Sequence, residues 1–211
     1  CTDSLSFNYD SLATCDDGSC SSPTVYGCND INATNFNLNA TFNDGSCTYI
    51  KTYVPDDIFE AWLEANGYGD SIAFNDSVLT SNLYNLTYMN IDGRNISDLT
   101  GIEDAINIQY IYASNNNLTF VDLTNNYDLR LLNLSYNNIS NIDLSSNDLL
   151  DYLFLPYNPL QALDISNMNI LFWLELRETD LEFLDLSSNL GLEYLWVESN
   201  DSLIDLDLCN T

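Results

Sequence analysis

Apolar residues recur through the second half of the chain with a period of 21 or 22 residues. The repeated pattern is L-x-x-L-x-L-x-x-N-x-L, in which the other places are mostly polar or aromatic. Six copies begin at Leu86, Ile108, Leu129, Leu150, Leu171 and Leu192. The ninth place is a polar residue in the later copies, at Asn116, Asn137, Asn158, Thr179 and Asn200. One copy cannot bury its apolar residues alone, so the copies must stack on one another.

This period and frame are typical of leucine-rich repeats, in which each unit adds one short strand to a solenoid. The ninth-place Asn is predicted to turn inward and bond to backbone groups where the chain bends. The return half of each unit alternates apolar residues with an aspartate, at Asp122, Asp143, Asp164, Asp185 and Asp207. Alternation favours extended backbone over helix there. The last aspartate is displaced by one residue, which indicates an insertion near residues 201–203.

Residues 51–85 precede the repeats and are predicted to form a cap. Residues 55–66 predict one short helix, because Pro55 with two following acidic residues matches a helix start and Gly67 a helix end. Its predicted apolar stripe consists of Ile58, Phe59, Trp62 and Leu63. Since terminal units of solenoids must cover an open apolar end, we expect this helix to cover the first repeat. The repeat domain itself is predicted to span residues 86–211.

Residues 1–50 hold a different repeat, in which segment 1–20 aligns with segment 28–47 without a gap. The two outer cysteines have the same separation in both copies, which predicts the disulfides Cys1–Cys20 and Cys28–Cys47. Closing a loop of this size contributes about 3 kcal/mol of stability, and small polar segments depend on such links. Cys15 and Cys209 are left over, the latter as a packed thiol. An N-terminal cysteine also fits a lipid anchor, which the pairing with Cys20 disfavours.

The charge of the chain restricts its partners. There are 4 Lys and Arg against 32 Asp and Glu, a formal net charge of −28. Such a surface repels nucleic acid and anionic membranes, so we predict neither nucleic-acid binding nor membrane insertion. The chain has no histidine and shows no phosphate loop, nucleophile elbow or zinc pair, so no catalytic residue is predicted. Five of the six cysteines lie in the first 47 residues, which indicates an oxidising, extracellular location.

The acidic residues of the front repeats raise the hypothesis of a calcium site. Oxygen ligands closely spaced around a glycine, such as Asp16, Asp17 and Ser19, suit Ca²⁺ better than other metals. The candidate ligands are Asp3, Asp10, Asp16, Asp17, Asp30 and Asp44. The spacing differs from the helix–loop–helix calcium loop, and a solvated acidic turn is the alternative. For the aspartates of the return halves we expect a structural role, bonding to N–H groups of the following turns, with a line of bound cations as the alternative.

The third and fifth places of the frame face solvent on the predicted concave side of the sheet. Aromatic residues fill most of them, and the predicted ligand-binding residues are Tyr88, Tyr110, Tyr112, Tyr152, Phe154, Trp173, Tyr194 and Trp196. Tyr136 and Tyr157 extend this stripe at the eighth place. Its predicted polar rim consists of Arg130, Arg177, Glu175 and Glu193. Strand propensity alone is the alternative explanation, but soluble monomers rarely display such an apolar patch without a partner.

Two parts of the chain resemble known families. The run 53–60 (Tyr-Val-Pro-Asp-Asp-Ile-Phe-Glu), the bridge 95–103 and the 21-residue units resemble secreted bacterial leucine-rich-repeat proteins of internalin-like type. The front repeats, with Cys-x-Asp and Asp-Gly-Ser-Cys, resemble a cysteine repeat found in tandem on large secreted and surface proteins.

These resemblances imply an extracellular or cell-surface protein that recognises or adheres to a protein or carbohydrate partner, as a monomer or as part of a longer chain. The alternative is a structural spacer or surface-layer component that binds calcium. A spacer should present a bland sheet face, whereas a recognition module should expose apolar side chains there.

Overall fold

The computed structural model describes residues 1–4, 6–21 and 24–208, so Cys209 lies outside the described residues. The chain divides into two compact units, Cys1–Ile50 and Lys51–Thr211. The first unit contains two short strands, β1 (Tyr26–Gly27) and β2 (Phe42–Asn43), which pair in parallel. No helix of the described chain is long and apolar enough to cross a membrane.

The sequence repeat of the first unit is also a structural repeat. Asn8 donates to the carbonyl of Ser19 at 2.6 Å and accepts from the N–H of Ser21 at 2.9 Å. Asn35, the equivalent residue of the second copy, makes the corresponding pair of bonds at the same distances. Each copy therefore closes on itself through one asparagine side chain, which lies close to the cysteine pair at the end of the copy.

Both predicted disulfides are confirmed. Cys1 is bonded to Cys20 and Cys28 to Cys47, with Cα–Cα distances of 4.7 and 4.8 Å. Among the described residues the free cysteine is Cys15, which is exposed. The unit needs these links because it buries little apolar surface: large side chains such as Phe7 and Leu12 are almost fully exposed.

The cap of the second unit begins with strand β3 (Lys51–Tyr53), helix α1 (Asp57–Ala65), strand β4 (Ser77–Leu79) and helix α2 (Thr80–Leu83). Strands β3 and β4 form an antiparallel pair. This pair was not predicted from the sequence. Helix α1 starts later than predicted because the Asp56 carboxylate caps it, accepting the N–H groups of Ile58 and Phe59. Gly67 follows its end with a φ of +82°.

The predicted apolar stripe of α1 is wrong at one position. Phe59, Trp62 and Leu63 are buried, but Ile58 is exposed and Glu60 is fully buried instead. The Glu60 carboxylate accepts the N–H groups of Asn75 and Asp76 at 3.0 and 3.1 Å, so the loop between the helix and β4 folds around it. A buried carboxylate is tolerated because backbone donors satisfy it.

The cap packs against the start of the repeats. Asp56 accepts from the N–H and hydroxyl of Ser97 at 2.8 and 3.0 Å. The hydroxyl of Thr52 donates to Asp104 at 2.6 Å. Phe59 and Leu63 belong to the same buried apolar cluster as the residues of the first repeat. Polar and apolar contacts thus join the helix to the repeat that follows it.

The repeats form a mostly β leucine-rich-repeat solenoid of about six turns, as predicted. A short 3₁₀ helix, Ile102–Asp104, lies in its first return half. Its strands are β5 (Tyr88–Asn90), β6 (Tyr110–Tyr112), β7 (Leu131–Asn133), β8 (Tyr152–Phe154), β9 (Trp173–Glu175), β10 (Phe183–Asp185), β11 (Tyr194–Trp196) and β12 (Asp205–Asp207). Six of them form one parallel sheet in the order β5-β6-β7-β8-β9-β11. The central residue of each of the first five is fully buried, at Met89, Ile111, Leu132, Leu153 and Leu174.

The register of this sheet follows the sequence frame. Third-place residues pair with third-place residues, for example Tyr88 with Tyr110 and Trp173 with Tyr194. On the return side β10 pairs in parallel with β12, and Leu184 lies opposite Leu206. This pairing matches the displacement by one residue that the sequence indicated. The return segments 121–123, 142–144 and 163–165 contain neither helix nor strand.

The ninth-place asparagines form a ladder, as predicted, which is buried at Asn116, Asn137 and Asn158 and half-buried at Asn200. Asn137 donates to the carbonyls of Ala113 and Leu134, both at 3.0 Å, and accepts from the N–H of Leu118 at 3.0 Å. Asn116, Asn158 and Asn200 each make corresponding bonds within their own repeat and to the preceding one. One side chain therefore satisfies backbone groups of two repeats.

A second asparagine ladder lies in the return halves and was not predicted. Asn126, Asn147 and Asn189 are fully buried. Each donates to two carbonyls of the preceding repeat, and for Asn147 these distances are 2.9 and 3.2 Å. The remaining repeat has Met168 at this place, and the adjacent Asn167 donates to the carbonyls of the preceding repeat, both at 3.2 Å. The recurrence of asparagine at the repeat period was the signal in the sequence.

Replacing Asn137 by Ala should lower the free energy of unfolding by about 3 kcal/mol, because buried backbone groups of two repeats lose their partner. The measurement is urea unfolding followed by circular dichroism. The matched control is Asn138→Ala, whose side chain is exposed and which should cost less than about 0.5 kcal/mol. Equal losses in the two variants would contradict the role of the ladder.

Alkylation of the native protein, followed by mass spectrometry of its peptides, should label Cys15 because its thiol is exposed and free. Cys1, Cys20, Cys28 and Cys47 should be labelled only after reduction, because each is in a disulfide. Label on any of these four before reduction would contradict the pairing. A sample reduced and unfolded before alkylation provides the control for complete labelling.

Candidate binding face

The eight aromatic side chains predicted to bind a ligand all lie on one side of the six-stranded sheet, at the ends of strands whose central residues face the core. We call this surface the aromatic face; its members are Tyr88, Tyr110, Tyr112, Tyr152, Phe154, Trp173, Tyr194 and Trp196. Four of them are well exposed, including Tyr88 at 52% and Trp196 at 42%. The others are half-buried because they pack against one another.

The rings are densest at the last repeats. Trp173 lies 5.2 Å from Tyr194, 5.7 Å from Trp196 and 5.7 Å from Phe154, measured between ring centroids. At the other end of the sheet Tyr88 and Tyr112 are 5.6 Å apart. Contacts at these distances stabilise aromatic pairs beyond the area that they bury. The rings are therefore held in place before any partner arrives.

Phe172 also belongs to this cluster, although it was not among the residues predicted from the sequence. It lies at the second place of the frame, where the other repeats carry polar residues. Its ring is 5.9 Å from that of Tyr152 and 5.2 Å from that of Tyr194. The sequence did carry a signal for this residue, namely an aromatic side chain at a place that is polar in every other repeat.

Tyr136 and Tyr157 extend the face at the eighth place, and their rings stack at 4.2 Å with an angle of 10° between the planes. Both residues have left-handed backbone conformations, with φ of +56° and +58°. Asn115, Glu178 and Ser199 have the same conformation at this place of their repeats. A bulky residue is unfavourable there, and stacking of the two rings offsets part of that cost. Burial raises the pKa of the Tyr136 hydroxyl, and its hydrogen bond with Tyr157 acts in the same direction.

Arg177 and Arg130, two charged residues of the predicted rim, are each paired with a carboxylate. The Arg177 guanidinium lies 5.0 Å from the ring centroid of Trp196 and bonds to the Glu175 carboxylate, with Nε donating at 2.7 Å. This hydrogen bond raises the pKa of Arg177 above its usual value. The prediction of Glu175 as a rim residue is wrong, because its side chain is buried on the face beneath the guanidinium. Arg130 is paired with Asp151 at 3.6 Å, and Glu193 is exposed.

The six candidate calcium ligands are mostly engaged in local turns. Asp10, Asp16, Asp17, Asp30 and Asp44 each accept the N–H of the residue two places later at 2.9 to 3.0 Å. Hydrogen bonds from Ser19 to Asp17, from Asn32 to Asp30 and from Ser46 to Asp44 lower the pKa of these carboxyls. Asp3 accepts from the hydroxyl of Ser6 at 3.3 Å.

The structure does not gather these carboxylates into one cluster. Within the described ranges, the one group of three or more acidic side chains close enough to share an ion is Asp57, Glu60 and Asp76, all in the cap. Glu60 in that group already accepts two backbone N–H groups. Calcium binding by the front repeats stays a prediction.

Four of the five aspartates of the return halves, Asp122, Asp143, Asp164 and Asp185, make the hydrogen bonds that were predicted for them. Asp143 accepts the N–H of Ser145 at 3.0 Å, and Asp185 that of Ser187 at 2.8 Å. Asp164 accepts both the N–H and the hydroxyl of Ser166, at 3.0 and 2.7 Å. These bonds lower the pKa of Asp143, Asp164 and Asp185 from 3.8. Their carboxylates stabilise the turns on the back of the solenoid.

No family model matches the chain, and no curated protein is significantly similar to it. Among solved structures, the functional domain of InlJ from Listeria monocytogenes, which includes a cysteine ladder, superposes with a TM-score of 0.69 and 27% identity, over 76% of this chain and 36% of that one. A Leptospira interrogans leucine-rich-repeat protein, LIC12759, gives a TM-score of 0.48 at 20% identity over 60% and 38%. Internalin InlF of L. monocytogenes gives 0.40 at 21% over 68% and 56%.

Of these three structures, the InlJ domain superposes with a TM-score above 0.5, and its similarity supports the solenoid fold. The chain spans about a third of the InlJ domain. The chain has no cysteine between Cys47 and Cys209, and the two polar ladders of its repeats consist mainly of asparagine.

The acid sensitivity of the protein should depend on the hydrogen-bonded aspartates of the return halves. Because their pKa is lower in the folded than in the unfolded chain, the stability that they contribute is complete above a pH of about 4 and is lost as the pH falls through the folded values. The triple variant Asp143→Asn, Asp164→Asn, Asp185→Asn should therefore be less stable than the wild type at about pH 6. The difference should shrink as the pH falls below about 4. Urea midpoints across this range provide the measurement.

The control replaces Asp128 and Asp148 by Asn. Both are exposed, and no hydrogen bond to either carboxylate is found in the described part of the chain. This variant should not show the same convergence toward acid pH. A constant difference between the triple variant and the wild type from about pH 2.5 to pH 6 would contradict the role of the three aspartates.

Proposed function

We propose that the chain is an extracellular recognition or adhesion module that binds a protein or glycan partner on its aromatic face. The observation that carries this proposal is the cluster of Trp173, Tyr194 and Trp196, in which Trp173 contacts the other two rings and those two are more than 40% exposed. Tyr and Trp dominate the energies of protein interfaces, and exposed apolar patches of this kind are typical of binding sites.

The cluster is arranged in advance for binding. Ring contacts and the pairing of Arg177 with Glu175 restrict the side chains, so a partner would lose less conformational entropy on association. The guanidinium over Trp196 also leaves a polar group at the edge of an aromatic surface. Aromatic centres with polar edges favour recognition of one partner over non-specific adhesion.

The alternative of a structural spacer has less support. A spacer should have a bland sheet face, whereas this sheet exposes Tyr88, Tyr110, Tyr194 and Trp196. We propose no enzymatic activity, because the chain has no histidine and the members of the aromatic face include no cysteine and no acidic residue. The two disulfides and the internalin neighbours are consistent with an extracellular or surface location.

Screening the protein against arrays of glycans and cell-surface proteins should identify a partner, and Trp196→Ala should then weaken its binding at least tenfold. The reason is that Trp196 is exposed, contacts Trp173 and supports Arg177. Affinity is measured by calorimetry or surface plasmon resonance.

The matched control is Phe183→Ala. Phe183 is 51% exposed but lies on the return side, in β10. The Phe183→Ala variant should bind the partner as tightly as the wild type does. Equal affinity of the Trp196 variant and the wild type would show that the aromatic rings serve sheet packing only.

A further inference from the structure

A cleft lies at the first repeat, between the end of α1 and strand β5, and borders the aromatic face at Tyr88. Its volume is about 490 Å³, and the residues that define its chemistry are Trp62, Asn66, Tyr68, Tyr88, Asn90 and Arg94. This size falls in the range of small-ligand sites, which combine apolar walls with a few polar groups. We propose that this cleft binds a sugar that carries a carboxylate, such as a uronic acid residue of an extracellular glycan.

The charge of the cleft is opposite to that of the whole chain. Its lining contains Arg94 and no acidic residue, although the chain has 32 acidic residues and only 4 basic ones. Lys51, Arg130 and Arg177 are each paired with a carboxylate. Arg94 is exposed, and its guanidinium forms no ion pair with any described residue. Its charge is therefore available to an external anion.

The field of the acidic chain does not prevent an anion from binding here. At physiological ionic strength charges are screened beyond about 8 Å, so a ligand in the cleft is affected mainly by the nearest groups. A guanidinium forms two parallel hydrogen bonds with a carboxylate, which a neutral hydroxymethyl group cannot reproduce. The single basic residue thus favours a carboxylate over a neutral group at that end of the ligand.

The amides and rings of the cleft suit a sugar ring. Asn90 accepts the N–H of Asp92 at 3.2 Å, and its NH₂ group has no acceptor among the described residues. Asn66 donates to the Trp62 carbonyl at 2.7 Å, which leaves its amide oxygen to accept. One free donor and one free acceptor match the hydroxyl groups of a sugar.

The aromatic residues of the cleft are fixed in position. Trp62 stacks on Tyr68 with centroids 6.2 Å apart and planes at 19°, which forms one wall. Tyr88 is half exposed and rests on Tyr112 at 5.6 Å, which leaves a ring face for the apolar C–H side of a sugar. A peptide carboxylate would bind the Arg94 guanidinium but would not contact the Tyr88 ring and the two amides together.

The test is titration of the full chain with methyl β-D-glucuronide and with methyl β-D-glucoside, which differ only in the carboxylate. Side-chain amide and guanidinium signals in nitrogen-15 NMR spectra report binding. The glucuronide should bind about tenfold more tightly than the glucoside, as expected for a hydrogen-bonded ion pair. Equal affinities, or no binding of either sugar, would overturn the proposal.

Three variants locate the binding. Arg94→Gln should remove the tenfold preference, and Arg94→Lys should retain part of it because the charge remains. Asn90→Asp preserves an acceptor for the N–H of Asp92 but adds a negative charge to the cleft. It should weaken both sugars, because the amide donor is lost, and it should weaken the glucuronide severalfold more than the glucoside because the added charge repels the carboxylate. An unchanged preference in Arg94→Gln would place the carboxylate elsewhere and overturn the proposal.

N-acetylglycine, a carboxylate without a sugar ring, distinguishes sugar recognition from general binding of carboxylates. It should bind more weakly than the glucuronide, and equal or tighter binding would overturn the assignment to a glycan. These titrations need no partner of the aromatic face. Failure of this proposal and failure of the proposed recognition function are therefore separate results.

Discussion

The stacking of 21-residue units depends on satisfying backbone groups at each bend. A unit this short turns sharply, and its carbonyl and N–H groups at the bends face the interior, where water cannot reach them. Two ladders of buried asparagines satisfy these groups, and most members bond to the preceding repeat as well. The coupling between repeats is therefore polar as well as apolar, and a repeat without its neighbour would lack both its apolar contacts and its hydrogen-bond partners.

The aromatic face is a consequence of this coupling. Parallel strands lie about 4.8 Å apart, and the ladders hold equivalent places of successive repeats at that spacing. Rings at the third and fifth places must then touch the rings of the next repeat, as Trp173 touches Tyr194 and Trp196. The bend of each repeat requires a left-handed backbone conformation at the eighth place. Tyr136 and Tyr157 occupy this place in their repeats and therefore adopt a conformation that is unfavourable for bulky residues.

The parts that the sequence predicted correctly are those with a period. The strand register, the first ladder and the paired cysteines all follow from residues that recur at fixed spacing. The cap shows the opposite: burial of Glu60, exposure of Ile58 and the pairing of β3 with β4 depend on contacts that occur once in the chain. The second ladder is also periodic, but it was not predicted for two reasons. Met168 interrupts the recurrence of asparagine, and a polar residue in a return half is usually interpreted as exposed to solvent.

The acidity of the chain has a structural basis in the same local bonding. Aspartates in both units accept the N–H group two residues later, which stabilises a turn and favours the ionised carboxylate. Many of the negative charges are thus bound to backbone donors and are not gathered around a common ion. Against this background the basic residues are informative. Three are neutralised by adjacent carboxylates, and the one in the cleft of the first repeat has no such partner among the described residues. In a chain with so few cations, an unpaired guanidinium beside aromatic rings and free amides is the feature that turning and stacking do not explain.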